Sequence, residues 1–187
     1  MDKNSKKLFF CLLISFLCIS GIEAQEKVSE NEHHNTRHAV AIVLSHSNVS
    51  KGIQNGKTKW QSFPSWGINY NYSINQKWLI GWHNDIIVED FVVHNSNSSD
   101  EDQDVLERSY PIATLAVVTF KPLKYLGILL GAGGEFAHQG NFAMVRLGLE
   151  APYHLPKKLE AFVSLTYDYK INAYNTWNIG FGFAKLF

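Results

Sequence analysis

Cysteine is almost missing from the 187 residues: Cys11 and Cys18 are the only two, both within the first twenty positions. A disulfide scaffold, a cysteine-ligated zinc site and a thiol enzyme are thereby excluded. Charge of one sign is missing too, since 17 Lys+Arg balance 17 Asp+Glu, and nothing steers the chain toward nucleic acid. Charged residues reach only 18%, against about 25% in ordinary domains. After residue 24 the longest mostly apolar stretch is 110–120, rich in Val, Ile and Thr, which suits a strand and not a membrane-crossing helix. No helical periodicity stands out. What is abundant is aromatic side chains, at 13%. Such a chain is too apolar to be disordered, and its aromatics need a place.

The start of the chain reads as an address. Lys3, Lys6 and Lys7 precede the apolar run LFFCLLISFLCI, and Gly21-Ile22-Glu23-Ala24 offers a small residue before Gln25. That is the three-part pattern of a secretory signal peptide over 1–24. Phe16-Leu17 before Cys18 do not fit a lipoprotein site. Cleavage after Ala24 removes both cysteines. Residues 25–37, QEKVSENEHHNTR, are polar and read as a flexible leader.

From 38 to 187 the chain repeats one unit, about ten residues of alternating character followed by a turn or polar loop. In 66–74, Trp66, Ile68, Tyr70, Tyr72 and Ile74 alternate with Gly67, Asn69, Asn71 and Ser73. In 159–170, Leu159, Ala161, Val163, Leu165, Tyr167 and Tyr169 alternate with Glu160, Phe162, Ser164, Thr166, Asp168 and Lys170. In 177–184, Trp177, Ile179, Phe181 and Phe183 alternate with Asn178, Gly180, Gly182 and Ala184. Period two with one apolar face marks a half-buried strand. Softer versions occupy 78–89, where Asn84 falls on the apolar side, 126–135 and 145–151. Strands over 38–46 and 109–120 are apolar on both faces, so their facing stays open. The expected count is eight strands.

Connection lengths alternate. SNVSKGIQNGKTKWQS and HNSNSSDEDQDVLER are long, whereas Asn75-Gln76-Lys77, Lys121-Pro122-Leu123-Lys124 and a Pro156-containing turn are short; the stretches near 137–141 and 172–175 are modest. An even set of up-and-down strands with short turns at one end and longer loops at the other is the transmembrane barrel layout. The expected fold is therefore all-β: an eight-stranded antiparallel up-and-down transmembrane β-barrel, of the span that crosses a bilayer at a tilt. Side-chain volume argues for the same solvent arrangement. Eight strands enclose room only for interior side chains. Gly, Asn and Ser fit inside, whereas several Trp and Tyr per strand do not. The predicted lipid-facing and girdle aromatics are Trp66, Tyr70, Tyr72, Trp78, Trp82, Tyr167, Tyr169, Trp177, Phe181 and Phe183. Tyr110, Tyr125 and Tyr153 also fall near strand ends. A soluble lipocalin-like carrier would need the reverse packing.

The chain closes Ile179-Gly-Phe181-Gly-Phe183-Ala-Lys185-Leu-Phe187. This resembles the last strand of bacterial outer-membrane barrels, with Phe187 as the signal read by the barrel-assembly machinery. The region 38–187 is similar to small eight-stranded outer-membrane proteins of the OmpA/OmpW/OmpX type. WGINYNYSINQKWLIGWHNDII and TFKPLKYLGILLGAGGEF resemble an outer-membrane β-barrel-domain group without an assigned activity. The resemblance implies export to the bacterial outer membrane, contact with its lipid and a monomeric barrel with both termini in the periplasm. A surface ligand would reach it through the two long loops. Lys185 departs from the pattern, and snorkelling to the interface accommodates it.

Candidate chemistry is sparse. The ionisable residues assigned to the lumen are His83, Asp85, Glu89, Glu135, Arg146, Glu150, Glu160, Asp168 and Lys170. Charges in a narrow barrel are paired or wet. The expected outcome is a polar plug, the alternative a gated cation path. His33, His34, His38, His46, His94 and His138 show no metal-ligand spacing such as HExxH, so neither a metal nor a cofactor is expected. Ser45-His46-Ser47 suggests lipid A deacylases, but their His and Ser lie two apart on one strand face. Here the serines flank His46 and face away from it. NSNSSDEDQD at 95–104 would attract Ca²⁺ weakly at most. The expected role is non-enzymatic, in envelope structure, surface interaction or small-solute passage.

Overall fold

The structure, a computed structural model, describes residues 37–54, 57–94 and 105–187. The expected signal peptide, the leader up to residue 36 and the acidic stretch 95–104 lie outside the described residues.

The described residues form ten strands: β1 His38–Gln54, β2 Lys57–Ser73, β3 Trp78–Ile87, β4 Asp90–His94, β5 Val105–Ser109, β6 Ile112–Leu123, β7 Leu126–Ala137, β8 Gly140–Leu155, β9 Leu159–Lys170 and β10 Thr176–Leu186. Eight of them, all but β4 and β5, run as a meander in which β3 pairs directly with β6 and β10 closes on β1. All pairings are antiparallel, and the closing seam runs from Ala39↔Leu186 to Val49↔Thr176. The protein is thus a closed eight-stranded antiparallel β-barrel. Closure leaves these strands no edge along the barrel wall, which matters most where water cannot solvate one.

Alternation decides what faces where. Along β10, Trp177, Ile179, Phe181 and Phe183 are outward, while Gly180, Gly182 and Ala184 are buried. The two strands of ambiguous facing are resolved. In β1, Ala41, Val43 and Ser47 point inward and Ile42, Leu44 and His46 outward; in β6, Ala113, Leu115, Val117 and Thr119 point inward. Both are apolar on two faces because their inner residues meet other apolar side chains. Ala41 and Val43 pack with Phe162 and Ala184, and Ala113, Leu115 and Val117 pack with Leu129 and Met144.

The connections at the turn end agree with expectation, but the other end does not. The first long loop is largely strand, since the β1–β2 ladder continues to Gln54↔Lys57. A bulge between Val49 and Gly52, with Lys51 at φ 58°, bends this extension. Gly52 then pairs with Val93 of β4. The expected strand 78–89 ends at Ile87, and a separate hairpin, β4–β5, brackets what was read as the second long loop, 94–108. It leaves the wall at Val88-Glu89 and returns at Tyr110-Pro111, where Tyr110 takes φ 44°. Its inner residues Phe91 and Val93 pack with Val49, Ile87 and Tyr174. The hairpin is therefore folded across the mouth.

The β6–β7 contact requires glycine at one point. A Cβ on Gly133 would lie far inside the contact distance to the Thr114 carbonyl oxygen and crowd Leu115. Gly133→Ala is expected to destabilise the barrel by about 1–3 kcal/mol, the usual cost of overpacking. Urea unfolding followed by heat-modifiable gel mobility measures it, and an unchanged midpoint would contradict the close approach.

Candidate functional site

Between patches of small and apolar residues, the interior holds polar side chains in two ion-paired layers. In the middle layer, Arg146 of β8 lies between Asp168 of β9 and Asp85 of β3. Its Nε donates to Asp168 Oδ1 at 2.6 Å, its Nη2 to Asp168 Oδ2 at 2.8 Å and its Nη1 to Asp85 Oδ2 at 2.5 Å. The fork-to-carboxylate match makes this a strong, directional arrangement. Asn178 donates to Asp168 Oδ2 (3.0 Å) and Thr166 Oγ1 (3.2 Å), and accepts from the Ser47 hydroxyl at 2.6 Å. Ser47 and Ser45 both share hydrogen bonds with the Ser65 hydroxyl, at 2.8 and 2.7 Å. Nearby His83 Nε2 is 3.0 Å from Asn71 Oδ1. A gap bordered by Asn69, His83, Asp85, Arg146 and Glu150 measures about 30 Å³, room for a water or two.

The second layer closes the mouth. Arg108 reaches in from β5, 1% exposed, and donates to Glu135 Oε1 at 2.6 Å and to the Gly140 carbonyl at 2.7 Å. The Tyr174 hydroxyl donates to the same Glu135 oxygen. Lys170 Nζ lies 3.2 Å from the other Glu135 oxygen and donates to Thr176 Oγ1 at 2.6 Å. Tyr174 sits in the β9–β10 connection, where burial first and the Glu135 carboxylate second push its phenol well above the ordinary value. Its hydroxyl therefore donates to Glu135 alongside Arg108 through the neutral range. Rings cover the layer: Phe63 stacks on Phe91 at 4.8 Å, Phe91 meets Tyr174 edge-on at 5.7 Å, and Arg108 lies over Phe142 at 4.8 Å. Such aromatic and cation–π contacts hold the hairpin beyond simple burial.

Of the ionisable residues assigned to the lumen, His83, Glu135, Arg146, Glu150, Glu160, Asp168 and Lys170 are buried and Asp85 is half-buried. Glu89 is a correction. It is exposed, because β3 ends at Ile87 and the chain leaves the wall there. Glu150 and Glu160 stand apart from the two layers, toward the turn end, where His154 Nδ1 lies 3.3 Å from Glu160. The predicted outward aromatics all lie on the outer face. Trp66 and Trp82 are each 52% exposed, whereas Tyr72 and Tyr167 are partly covered by the rings of His38 and Trp177. Asn84, out of pattern, accepts from Thr114. Lys185 Nζ donates to the Lys157 carbonyl at 2.7 Å.

Ser45 and Ser47 turn toward Ser65 inside the barrel, while His46 is exposed on the outer face. A nucleophile–base pair needs hydrogen-bond reach, and this segment does not provide it. Among the described residues no three His, Cys, Asp or Glu side chains converge as metal ligands. Arg108 and Tyr174 escape a reading by long strands. The signal for the former was the short alternation in Val105-Leu106-Glu107-Arg108; Tyr174 left none.

No protein-family model and no curated protein sequence match the chain. Solved structures do. The outer-membrane protein AlkL, determined in lipid bilayers, matches with a TM-score of 0.50 at 9% identity over 82% of this chain and 92% of its own. The attachment invasion locus protein Ail of Yersinia pestis, crystallised with the heparin analogue sucrose octasulfate, matches at 0.48 with 15% identity over 80% and 98%. Neisserial surface protein A matches at 0.48 with 15% identity over 80% and 97%. The chain has the fold of the small eight-stranded outer-membrane barrels.

Two substitutions separate the layers. Arg146→Ala strands two carboxylates and is expected to cost about 3–5 kcal/mol of barrel stability. Arg108→Ala is expected to raise hydrogen exchange across 90–94 and 105–109 while β7–β10 keep their protection. Uniform exchange in both variants would deny that the mouth layer holds the hairpin separately.

Proposed function

We propose that the chain is an exported, monomeric outer-membrane barrel with a non-enzymatic role in envelope structure or surface interaction, its lumen closed to solutes. The observation that carries this reading is the inversion of polarity: an apolar, aromatic outer wall around an ion-paired, filled interior. Lipid on the outside and side chains on the inside account for both faces. A soluble carrier would require an apolar cavity instead. Residues 1–24 act as the export signal, 25–37 as a periplasmic leader and Phe187 as the assembly signal. The short turns and the termini face the periplasm. The β1–β2 extension, bearing Lys57, Lys59 and exposed Trp60, and the β4–β5 hairpin face outward.

A closed lumen favours presentation over passage. The surface left to act is the extended hairpin and the cap, held on a barrel whose interior performs no turnover.

Native protein extracted from membranes is expected to need detergent and to shift its gel mobility on heating. In planar bilayers it is expected to give no unitary current steps. Recovery in the detergent-free soluble fraction would overturn the membrane assignment, and regular steps would overturn the closed lumen. Ser45→Ala and Ser47→Ala are expected to leave lipid A composition unchanged.

A further inference from the structure

The exposed carboxylates of the barrel are sorted by end, whereas exposed lysines occur at both, Lys57 and Lys59 lying at the loop end. Among the described residues, Asp85, Glu135, Glu150, Glu160 and Asp168 line the interior, and the exposed carboxylates, Glu89, Asp90 and Glu107, flank the β4–β5 hairpin at the loop end. The turn end exposes no Asp or Glu side chain among the described residues. It carries cations at each of its corners instead: Lys77 at β2–β3, Lys121 and Lys124 at β6–β7, Lys157 and Lys158 at β8–β9, and Arg37 with Lys185 at the β1–β10 seam. The corners are tied by the backbone. The Lys121 amide donates to the Lys77 carbonyl at 2.7 Å, and the Arg37 amide donates to the Phe187 carbonyl at 3.0 Å.

Two further features distinguish this rim from ordinary solvated turns. Lys157 and Lys158 occupy left-handed backbone, at φ 63° and 57°, where Gly or Asn would be easier. Lysine at both is a choice of charge over backbone ease. The rim also carries rings at the level where the apolar wall ends, with Tyr125 65% and Tyr153 70% exposed. Rings at the apolar–polar boundary and amines just beyond it are what an anionic lipid surface accommodates.

We propose that the turn end is a docking rim for anionic phospholipid headgroups, the ring of amines engaging their phosphates while the rings seat at the acyl boundary. The inference deepens the membrane reading above, on which it rests, by naming the lipid class.

The test uses the full chain in phosphatidylcholine vesicles containing spin-labelled phosphatidylglycerol or spin-labelled phosphatidylcholine, with the motionally restricted fraction read by electron paramagnetic resonance. Wild type is expected to favour phosphatidylglycerol about threefold or more at low salt, and the preference to fall toward unity at about 0.5 M salt, where screening is strong. The variant K77Q/K121Q/K124Q/K157Q/K158Q is expected to lose the preference, and K157Q/K158Q to reduce it while leaving the heat-modifiable shift intact. A preference absent from inserted wild type, or retained in both variants, would overturn the rim. Inorganic phosphate abolishing the preference at constant ionic strength would reassign it to free phosphate, and so would also overturn it. Cell-wall sacculi binding wild type but not the variants, with lipid preference flat, would overturn it in favour of the wall. If wild type fails to insert and to show the shift, the barrel reading itself falls and the rim with it.

Discussion

Everything in this protein follows from closing eight strands into one ring. The β1–β10 seam satisfies the backbone groups that a sheet edge would leave bare, and bilayer hydrocarbon offers them no substitute. Closure at this strand number also fixes the bore, which has room for side chains and little else. The inner face must then be small, apolar in patches, or charged in balanced groups. Arg146 between Asp85 and Asp168 meets that demand from three strands at once. The exposed belt of rings is the other half of the constraint, because a bore this narrow has no space for them.

The two ion clusters have different standing. The Arg146 cluster is made wholly by wall strands and belongs to the barrel's own stability. The Glu135 cluster recruits Arg108 from a hairpin outside the wall, together with Tyr174 from a connection. A charge brought in from outside and buried needs a partner at once, since leaving it unpaired is costly. That cost fixes where the hairpin lies far more firmly than its five-residue strands could alone. Apolar packing of Phe63, Phe91 and Tyr174 then excludes water from the ion pairs.

Most of the wall was legible because alternation in a barrel is dictated by two solvents that differ sharply. Trp177 to Ala184 could be assigned to faces from spacing alone. The mouth was not legible, for a physical reason: its strands β4 and β5 are five residues each, so period two has little length in which to show. Asn55-Gly56, a dipeptide favoured in two-residue hairpins, was a cue that the first long loop continued as strand. Glu89 was misassigned because counting by twos runs past Ile87 as though the wall did. Arg108 carries only the brief alternation of 105–108 as a local mark; its partner Glu135 is met only in three dimensions.

The direct β3–β6 pairing has a topological consequence. The chain from Val88 to Pro111 is an excursion that begins and ends beside itself, so the ring is complete without it. At the opposite end, the amide of Arg37 already meets the carbonyl of Phe187. The barrel is close to a cyclic object cut at one arbitrary place. A circular permutant that joins Arg37 to Phe187 and opens between β4 and β5 would preserve every wall ladder, the cap staying held by its own β4–β5 pairing and by Arg108 on Glu135.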